Sequence, residues 1–194
     1  ISPSEKTSER TQTMKILTAY YSRAGENYFG GQLKMVRTGN TEKAAKMIAE
    51  KTGSDLFKIE QAVPYSNDYK ICVKEARKDF EQHARPRLAC LPDSLDEYDV
   101  IFLGYPNYMS TMPMAVYTFL ESFDWNGKTI IPFCTHEGSG LANTEYDIAN
   151  SSKGAAVLKG LAVNGSRTEA LKTEIEQWCQ KSLQEIRQKK KENI

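Results

Sequence analysis

Two short segments of the chain combine hydroxyl, amide and glycine residues in a pattern that suits an anionic ligand. Ser22-Arg23-Ala24 is followed, after an interval, by Gly39-Asn40-Thr41 at the start of a predicted helix. Free backbone N–H groups and the helix dipole at such a position favour a phosphate group and do not require a lysine. The alternative is that Asn40 or Thr41 only caps its own helix. The glycine–lysine pattern of a P-loop is absent from the sequence.

Two further segments could contact a flat ligand. Residues 105–114 are rich in tyrosine, methionine and proline, which suits stacking on an aromatic ring but also ordinary packing at the start of a helix. Residues 135–140 contain two glycines and two hydroxyl residues, so backbone amides there can approach a ligand closely. His136 and Glu137 are too few for a metal site. For His136, a hydrogen bond to a ligand or to the backbone is favoured over acid–base catalysis.

A regular alternation of strands and helices must position these segments. Apolar runs predict strands at 15–21, 55–59, 99–104, 129–134 and 157–163. Amphipathic periods predict helices at 41–52, 68–82, 112–123 and 141–150, and a last helix that opens with a capping box at 166–169. Such alternation favours a parallel sheet with helices on both faces, whose ligands bind outside the carboxyl ends of the strands. The three candidate regions follow the first, third and fourth strands, so we expect them at one edge.

The residues between Ser22-Arg23-Ala24 and Gly39-Asn40-Thr41 have the pattern of a separate structural element. In residues 25–38, Gly30-Gly31 lies between two short runs of strand-forming residues, which predicts a β-hairpin. This hairpin could shield a ligand, form a surface for a partner, or be a plain surface excursion.

Composition excludes several classes of protein. The 194 residues contain 26 Lys and Arg against 25 Asp and Glu, a balance that argues against a basic nucleic-acid-binding protein. No apolar run approaches the ~18 residues of a membrane span. Hydrophobic residues make up 40%, which excludes a disordered chain, and the length suits one domain. The four separated cysteines favour free thiols in a reducing compartment, which predicts a cytoplasmic location, over a zinc site or disulfides.

The two ends of the chain differ from its body. Residues 1–13 have no hydrophobic period and are interpreted as a disordered extension or a remnant outside the fold. Residues 14–184 form the predicted domain, and residues 185–194 a basic helix end or tail whose cations suit the helix dipole. We predict no metal ligands and no catalytic residue.

In their order along five βα units, the three regions resemble the flavodoxin family, over about residues 14–184. YYSRA…GNT resembles the phosphate loop, split by an insertion as in a flavodoxin-like bacterial subfamily. GYPNYMSTMP resembles the loop beside the flavin ring, and CTHEGSG the second flavin loop. The resemblance implies a three-layer, doubly wound α/β fold with five parallel strands in the order 2-1-3-4-5. It also implies flavin mononucleotide (FMN) as cofactor at the switch point between the first and third strands.

The same resemblance implies three sets of cofactor contacts. The phosphate group would be held by Ser22, Arg23, Asn40 and Thr41. One side of the flavin ring would be lined by Pro106, Asn107, Tyr108 and Met109. The other side and the pyrimidine edge would be lined by Thr135, His136, Glu137, Gly138, Ser139 and Gly140.

Two redox functions fit this resemblance, because a fold alone does not decide a function. The first is an FMN-binding electron-transfer protein, a monomer or homodimer, that serves a redox partner protein or a small-molecule acceptor. The alternative is an FMN-dependent NAD(P)H:quinone or flavin oxidoreductase. The lack of a second dinucleotide motif favours the carrier. A flavin-free binding module that keeps only the fold is a third reading.

Overall fold

Apolar β-branched and aromatic runs form the central strands of the computed structural model, which describes residues 13–192. The strands are β1 (Ile16–Tyr20), β2 (Gly25–Phe29), β3 (Gln32–Val36), β4 (Asp55–Lys58), β5 (Val100–Pro106), β6 (Thr129–His136), β7 (Ala156–Val157) and β8 (Leu161–Asn164). The helices are α1 (Asn40–Thr52), α2 (Tyr69–Glu81), α3 (Met114–Glu121), α4 (Thr144–Ser151) and α5 (Lys172–Glu192), and a 3₁₀ turn spans Gly165–Arg167.

The main sheet is parallel and has the order β4-β1-β5-β6, with β7 and β8 both paired to β6. This confirms the predicted α/β fold and the 2-1-3-4-5 order, with one difference at the edge. The predicted strand 157–163 is divided into β7 and β8, and the Gly160 N–H donates to Glu145 Oε1 at 2.5 Å. Gly160 packs against the carbonyl of Pro132 in β6. Because proline has no N–H, the ladder is interrupted at this point.

Helices cover both faces of the sheet, as the crossover connections of a parallel sheet require. Helices α1 and α5 share one buried cluster with the sheet, and α3 and α4 share the other. The long apolar side chains of β5 alternate between these clusters, which explains why this central strand is buried along almost its whole length. Within residues 13–192, none of the helices has the length and hydropathy needed to cross a membrane.

The start of the last helix differs from its prediction. The residues of the predicted capping box form the end of the 3₁₀ turn and the segment after it, and α5 begins only at Lys172. Ser166 Oγ donates to Asn164 Oδ1 at 2.9 Å, and Thr168 Oγ1 donates to the Gly165 carbonyl at 2.8 Å. Both hydroxyls therefore stabilise the tight turn and do not cap the helix. At the other end, α5 continues through the predicted basic tail to Glu192.

The hairpin predicted within residues 25–38 is confirmed. Strands β2 and β3 pair antiparallel, with Phe29 opposite Gln32 and Gly30-Gly31 as the turn. Both glycines have left-handed φ angles, 59° and 88°, as the tightest hairpin turns require. Of the predicted N-terminal extension, only Thr13 lies within the described residues.

Candidate functional site

A pocket of about 410 Å³ lies at the carboxyl ends of β1, β5 and β6. The ends of these strands, the loops after them and the start of α1 form most of its wall, and the β2–β3 hairpin, Tyr69 of α2 and Gly165 of the 3₁₀ turn complete it. All but two of the predicted site residues line it: Ser22, Arg23, Asn40, Thr41, Pro106, Asn107, Tyr108, Thr135, His136, Glu137, Gly138 and Ser139. Met109 and Gly140 lie outside this lining.

The start of α1 forms one corner of the pocket. Ser22 Oγ accepts the Glu42 N–H at 3.1 Å, and Thr41 Oγ1 shares a hydrogen bond of 2.7 Å with Thr135 Oγ1. Among residues 13–192, no acceptor pairs with the N–H groups of Asn40 and Thr41, the first two of the helix. Helix N-terminal N–H groups beside hydroxyl side chains form a binding site for an anion such as phosphate.

Gly39 lets the two halves of this corner approach each other. A Cβ atom at this position would overlap Ser22 Oγ and the Arg23 carbonyl oxygen. The φ angle of Gly39 is −67°, which any residue can adopt. The site therefore needs glycine here because a side chain would not fit, and not because of an unusual backbone conformation.

Arg23 is already engaged by protein groups. Its terminal guanidinium nitrogens donate to the carbonyl oxygens of Glu26, Ser66 and Asn67 and to Asn27 Oδ1. Its Nε atom is buried, and no described residue accepts from it. Arg23 therefore ties the base of the hairpin to the loop before α2 and brings its positive charge to the pocket wall.

The loop after β5 turns back on itself at the edge of the pocket. Tyr108 and Thr111 exchange two backbone hydrogen bonds of 2.8 and 2.9 Å, and the residues between them, Met109 and Ser110, have left-handed φ angles of 49° and 62°. This tight turn keeps Tyr108 in the pocket and directs Met109 into a separate surface groove beside Arg85. Two consecutive non-glycine residues in this conformation are held only by surrounding contacts.

Asn107 joins the two loops that flank the pocket. Its backbone N–H donates to the Thr135 carbonyl at 2.9 Å, and its Nδ2 donates to the Gly140 carbonyl at 3.0 Å. Gly140 therefore acts behind the lining, as an acceptor that fixes Asn107.

Tyr108 is the aromatic side chain that this loop contributes to the pocket. Its ring meets the ring of Tyr21 edge-on, with 6.2 Å between the centroids. Burial raises the pKa of Tyr108 well above its ordinary value, so its hydroxyl is neutral. Tyr108 lies in the pocket lining, and an aromatic ring there can stack on a planar ligand.

The loop after β6 presents a neutral histidine. His136 Nδ1 accepts the Gly138 N–H at 2.9 Å, and burial lowers the pKa of His136 below its ordinary value. A neutral imidazole that accepts through Nδ1 carries its proton on Nε2. His136 therefore offers one N–H donor.

Glu137, the next residue, accepts two backbone hydrogen bonds from distant segments. Its Oε2 accepts the Gly30 N–H at 3.2 Å, and its Oε1 accepts the Ser166 N–H at 2.7 Å. One carboxylate thus joins the tip of the hairpin to the 3₁₀ turn after β8.

Sequence reasoning missed part of the lining. The glycine pair predicted the hairpin, but which of its side chains face the pocket depends on where it docks. The Tyr28 ring of the hairpin lies 6.4 Å from the Tyr69 ring of α2, at 30° between their planes. Tyr69 and Gly165 belong to segments with no motif. The lining residues that were not predicted are Asn27, Tyr28, Val36, Tyr69 and Gly165.

A comparison with protein families decides where this chain belongs. The family model for flavodoxin matches residues 33–182. The chain belongs to the flavodoxin family. The match begins within β3, so β1 and the Ser22 half of the predicted phosphate loop precede it. None of the curated proteins compared with the sequence matches it.

Solved structures agree with this family. A protein of Bacteroides uniformis assigned as a flavoprotein is 29% identical, with a TM-score of 0.67 over 86% of this chain and 98% of its own. A second, from Bacteroides eggerthii, is 26% identical, with a TM-score of 0.62 over 84% and 98%. A flavoprotein of Lactobacillus acidophilus, solved in complex with FMN, is 18% identical, with a TM-score of 0.58 over 81% and 98%; at this identity the likeness concerns the fold alone.

Proposed function

We propose that this member of the flavodoxin family binds FMN in the pocket at the carboxyl edge of its sheet and acts as an electron-transfer protein. The observation that carries the proposal is one pocket whose lining includes both the hydroxyl- and amide-rich start of α1 and the aromatic side chain of Tyr108. The start of α1 supplies the anion site, and Tyr108 supplies the wall. This pairing matches a ligand that has a phosphate group and a planar ring, joined through a flexible chain.

The proposed phosphate contacts follow from the donors in the α1 corner. Ser22 and Thr41 offer hydroxyls and Asn40 offers an amide, and all three residues line the pocket. The backbone N–H groups of Asn40 and Thr41, which have no acceptor among residues 13–192, begin the same helix. Arg23 brings a positive charge to the pocket wall; its terminal nitrogens are occupied by protein groups, and its buried Nε has no acceptor among residues 13–192. The helix dipole adds to this attraction for a dianion.

The proposed ring contacts come from the loops after β5 and β6. Tyr108, with Pro106 and Asn107, would line one side of the ring, and Thr135 to Ser139 the other. The Nε2–H of neutral His136 is available to a carbonyl oxygen at the ring edge. Bound FMN would supply the redox chemistry, and the protein would orient it and exclude water from it.

We favour a carrier over a reductase because the sequence contains no second dinucleotide motif and because the hairpin contributes side chains to the wall of the proposed FMN pocket. The acceptor would be a redox partner protein or a small molecule, and the protein a monomer or homodimer. The four cysteines are free thiols, which supports a reducing compartment, and we propose the cytoplasm.

Anaerobic titration tests this function. The holoprotein is titrated with NADH, NADPH and dithionite while the flavin absorbance is followed. We expect bleaching with dithionite and little change with either nicotinamide. Rapid bleaching by NADH or NADPH would instead support an FMN-dependent NAD(P)H:quinone or flavin oxidoreductase. Purified protein that neither carries nor binds flavin would overturn both.

A further inference from the structure

The β2–β3 hairpin crosses the carboxyl edge of the sheet from one side of the pocket to the other. Its base is fastened beside the start of α2. The Glu26 N–H donates to the Asn67 carbonyl at 3.2 Å, Glu26 Oε2 accepts the Tyr69 N–H at 2.9 Å, and Arg23 binds three carbonyl oxygens in the same region.

The tip of the hairpin is held much more lightly. At the far side of the pocket, the Gly30 N–H donates to Glu137, and the same carboxylate accepts the Ser166 N–H. Glu137 is exposed, and so is most of β3, including Leu33 and Met35. Segments with few buried apolar contacts and with exposed hydrogen bonds open at low free-energy cost.

The middle of the hairpin forms part of the pocket wall. Asn27 and Tyr28 of β2 line the cavity between the fastened base and the tip, and Val36 of β3 lines it at the base, opposite Gly25. A ligand in the cavity therefore lies against the hairpin, and its release is easiest where the hairpin is held by one side chain.

Glu137 also adjoins the proposed phosphate corner. A Cβ atom at Gly165 would lie 2.6 Å from Asn40 Nδ2 and 2.9 Å from Glu137 Oε1, so both side chains lie against this glycine. The contact that closes the hairpin is thus placed beside the start of α1.

We propose that Glu137 is a clasp that holds the hairpin closed across the pocket, and that FMN binds and leaves through opening of the hairpin tip. This inference rests on the proposed FMN site. Glu137 is a positioning residue: it acts on the ligand through the hairpin.

The first test compares three single variants in the full-length protein. We expect Glu137→Ala to raise the FMN dissociation rate about tenfold, the scale of losing hydrogen bonds to a charged acceptor. Glu137→Gln keeps one acceptor oxygen and should give a smaller increase. Glu145→Ala is the matched control, because it removes a carboxylate that accepts the Gly160 N–H outside the pocket lining. Equal dissociation rates for Glu137→Ala and Glu145→Ala would overturn the proposal.

The second test fixes the tip of the hairpin to the 3₁₀ turn with a disulfide bond. A Cβ atom at Gly30 would lie 3.7 Å from Ser166 Cβ, within the range of a disulfide. A Gly30→Cys/Ser166→Cys protein, with the exposed Cys90 changed to Ser, is compared in its oxidised and reduced forms. The strain of a cysteine at the left-handed Gly30 is present in both forms and does not affect the comparison. We expect oxidation to slow FMN association and dissociation at least about tenfold, the same scale as the loss of the hydrogen bonds to Glu137. A reductant should restore both rates. Unchanged rates would overturn the proposal.

Amide hydrogen exchange without flavin separates this inference from the proposed function. Glu137→Ala should speed exchange in β2 and β3 and leave β1 and β5 unchanged. Unchanged exchange in the hairpin would overturn the clasp even in a protein that binds FMN. Faster exchange in a protein that binds no FMN would support the role of Glu137 in holding the hairpin. It would overturn the passage of FMN through the hairpin tip, together with the proposed function.

Discussion

The side-chain hydroxyls of Thr41 and Thr135 share a buried hydrogen bond of 2.7 Å although 94 residues separate them in the chain. Thr41 lies in the first turn of α1, and Thr135 lies near the end of β6. The bond joins the anion corner of the pocket to the loop proposed to contact the flavin ring. Both threonines are almost completely buried, so the junction is fixed before a ligand binds.

Thr41→Ala should weaken FMN binding roughly ten- to a hundredfold, because a hydroxyl that contacts a charged group contributes about 1.5–3 kcal/mol. Riboflavin lacks the phosphate and should lose far less affinity. Titration of the apoprotein with both flavins measures the difference. Thr52→Ala is the control, since that hydroxyl lies at the other end of α1, where it donates to the Ile48 carbonyl and accepts the Ser54 N–H. Equal losses for FMN and riboflavin would contradict the phosphate assignment.

Tyr108→Ala should bind FMN more weakly and leave the bound flavin more fluorescent. Stacking on an aromatic face contributes about 0.5–1.5 kcal/mol beyond burial and quenches flavin emission. Met109→Ala should change little, because Met109 lies outside the pocket lining. Emission at saturating FMN, with affinity from titration, gives both quantities. If Met109→Ala loses quenching while Tyr108→Ala keeps it, Met109 and not Tyr108 stacks on the flavin ring.

Gly39→Ala should impair FMN binding, because its Cβ would push Ser22 and Arg23 away from the start of α1. The matched variant is Gly53→Ala at the C-cap of the same helix, where φ is 70° and nothing lies near an added Cβ. That change should lower the free energy of unfolding by about 1 kcal/mol and spare FMN affinity. Denaturant unfolding and flavin titration together separate the two effects. FMN affinity reduced equally in both variants would show a general loss of stability.

His136 should make the protein less stable below about pH 6.5. Burial lowers the pKa of His136 in the folded state, so the unfolded chain takes up the proton first as the pH falls. Its contribution to stability is complete above the unfolded pKa and is lost as the pH falls towards the folded one. Thermal unfolding from pH 8 to pH 5 should show a shallower fall for His136→Gln than for the wild type. The other histidine, His83, provides the control as His83→Gln.

Much of the fold could be read from local pattern. Apolar runs of strand length and amphipathic periods predicted the order of elements, and that order places the loops after β1, β5 and β6 at one edge. Gly30-Gly31 predicted the hairpin because only glycine adopts two consecutive left-handed conformations without strain. The predicted capping box was wrong as a helix start, because its first residues form a 3₁₀ turn that the hydroxyls of Ser166 and Thr168 stabilise, and α5 begins only at Lys172.

The sequence by itself determined most of the strands, helices and turns, because burial periodicity and backbone conformation depend largely on neighbouring residues. Only the tertiary structure decided what the polar side chains of the site bind. Arg23 looked free for a phosphate, yet one of its terminal nitrogens donates to Ser66 and Asn67 and the other to Glu26 and Asn27. Glu137 looked like part of a flavin loop, yet it accepts from Gly30, 107 residues earlier in the chain. Such partners meet only when sheet register and hairpin docking bring distant segments within hydrogen-bonding distance, about 3 Å, and no local pattern encodes that meeting.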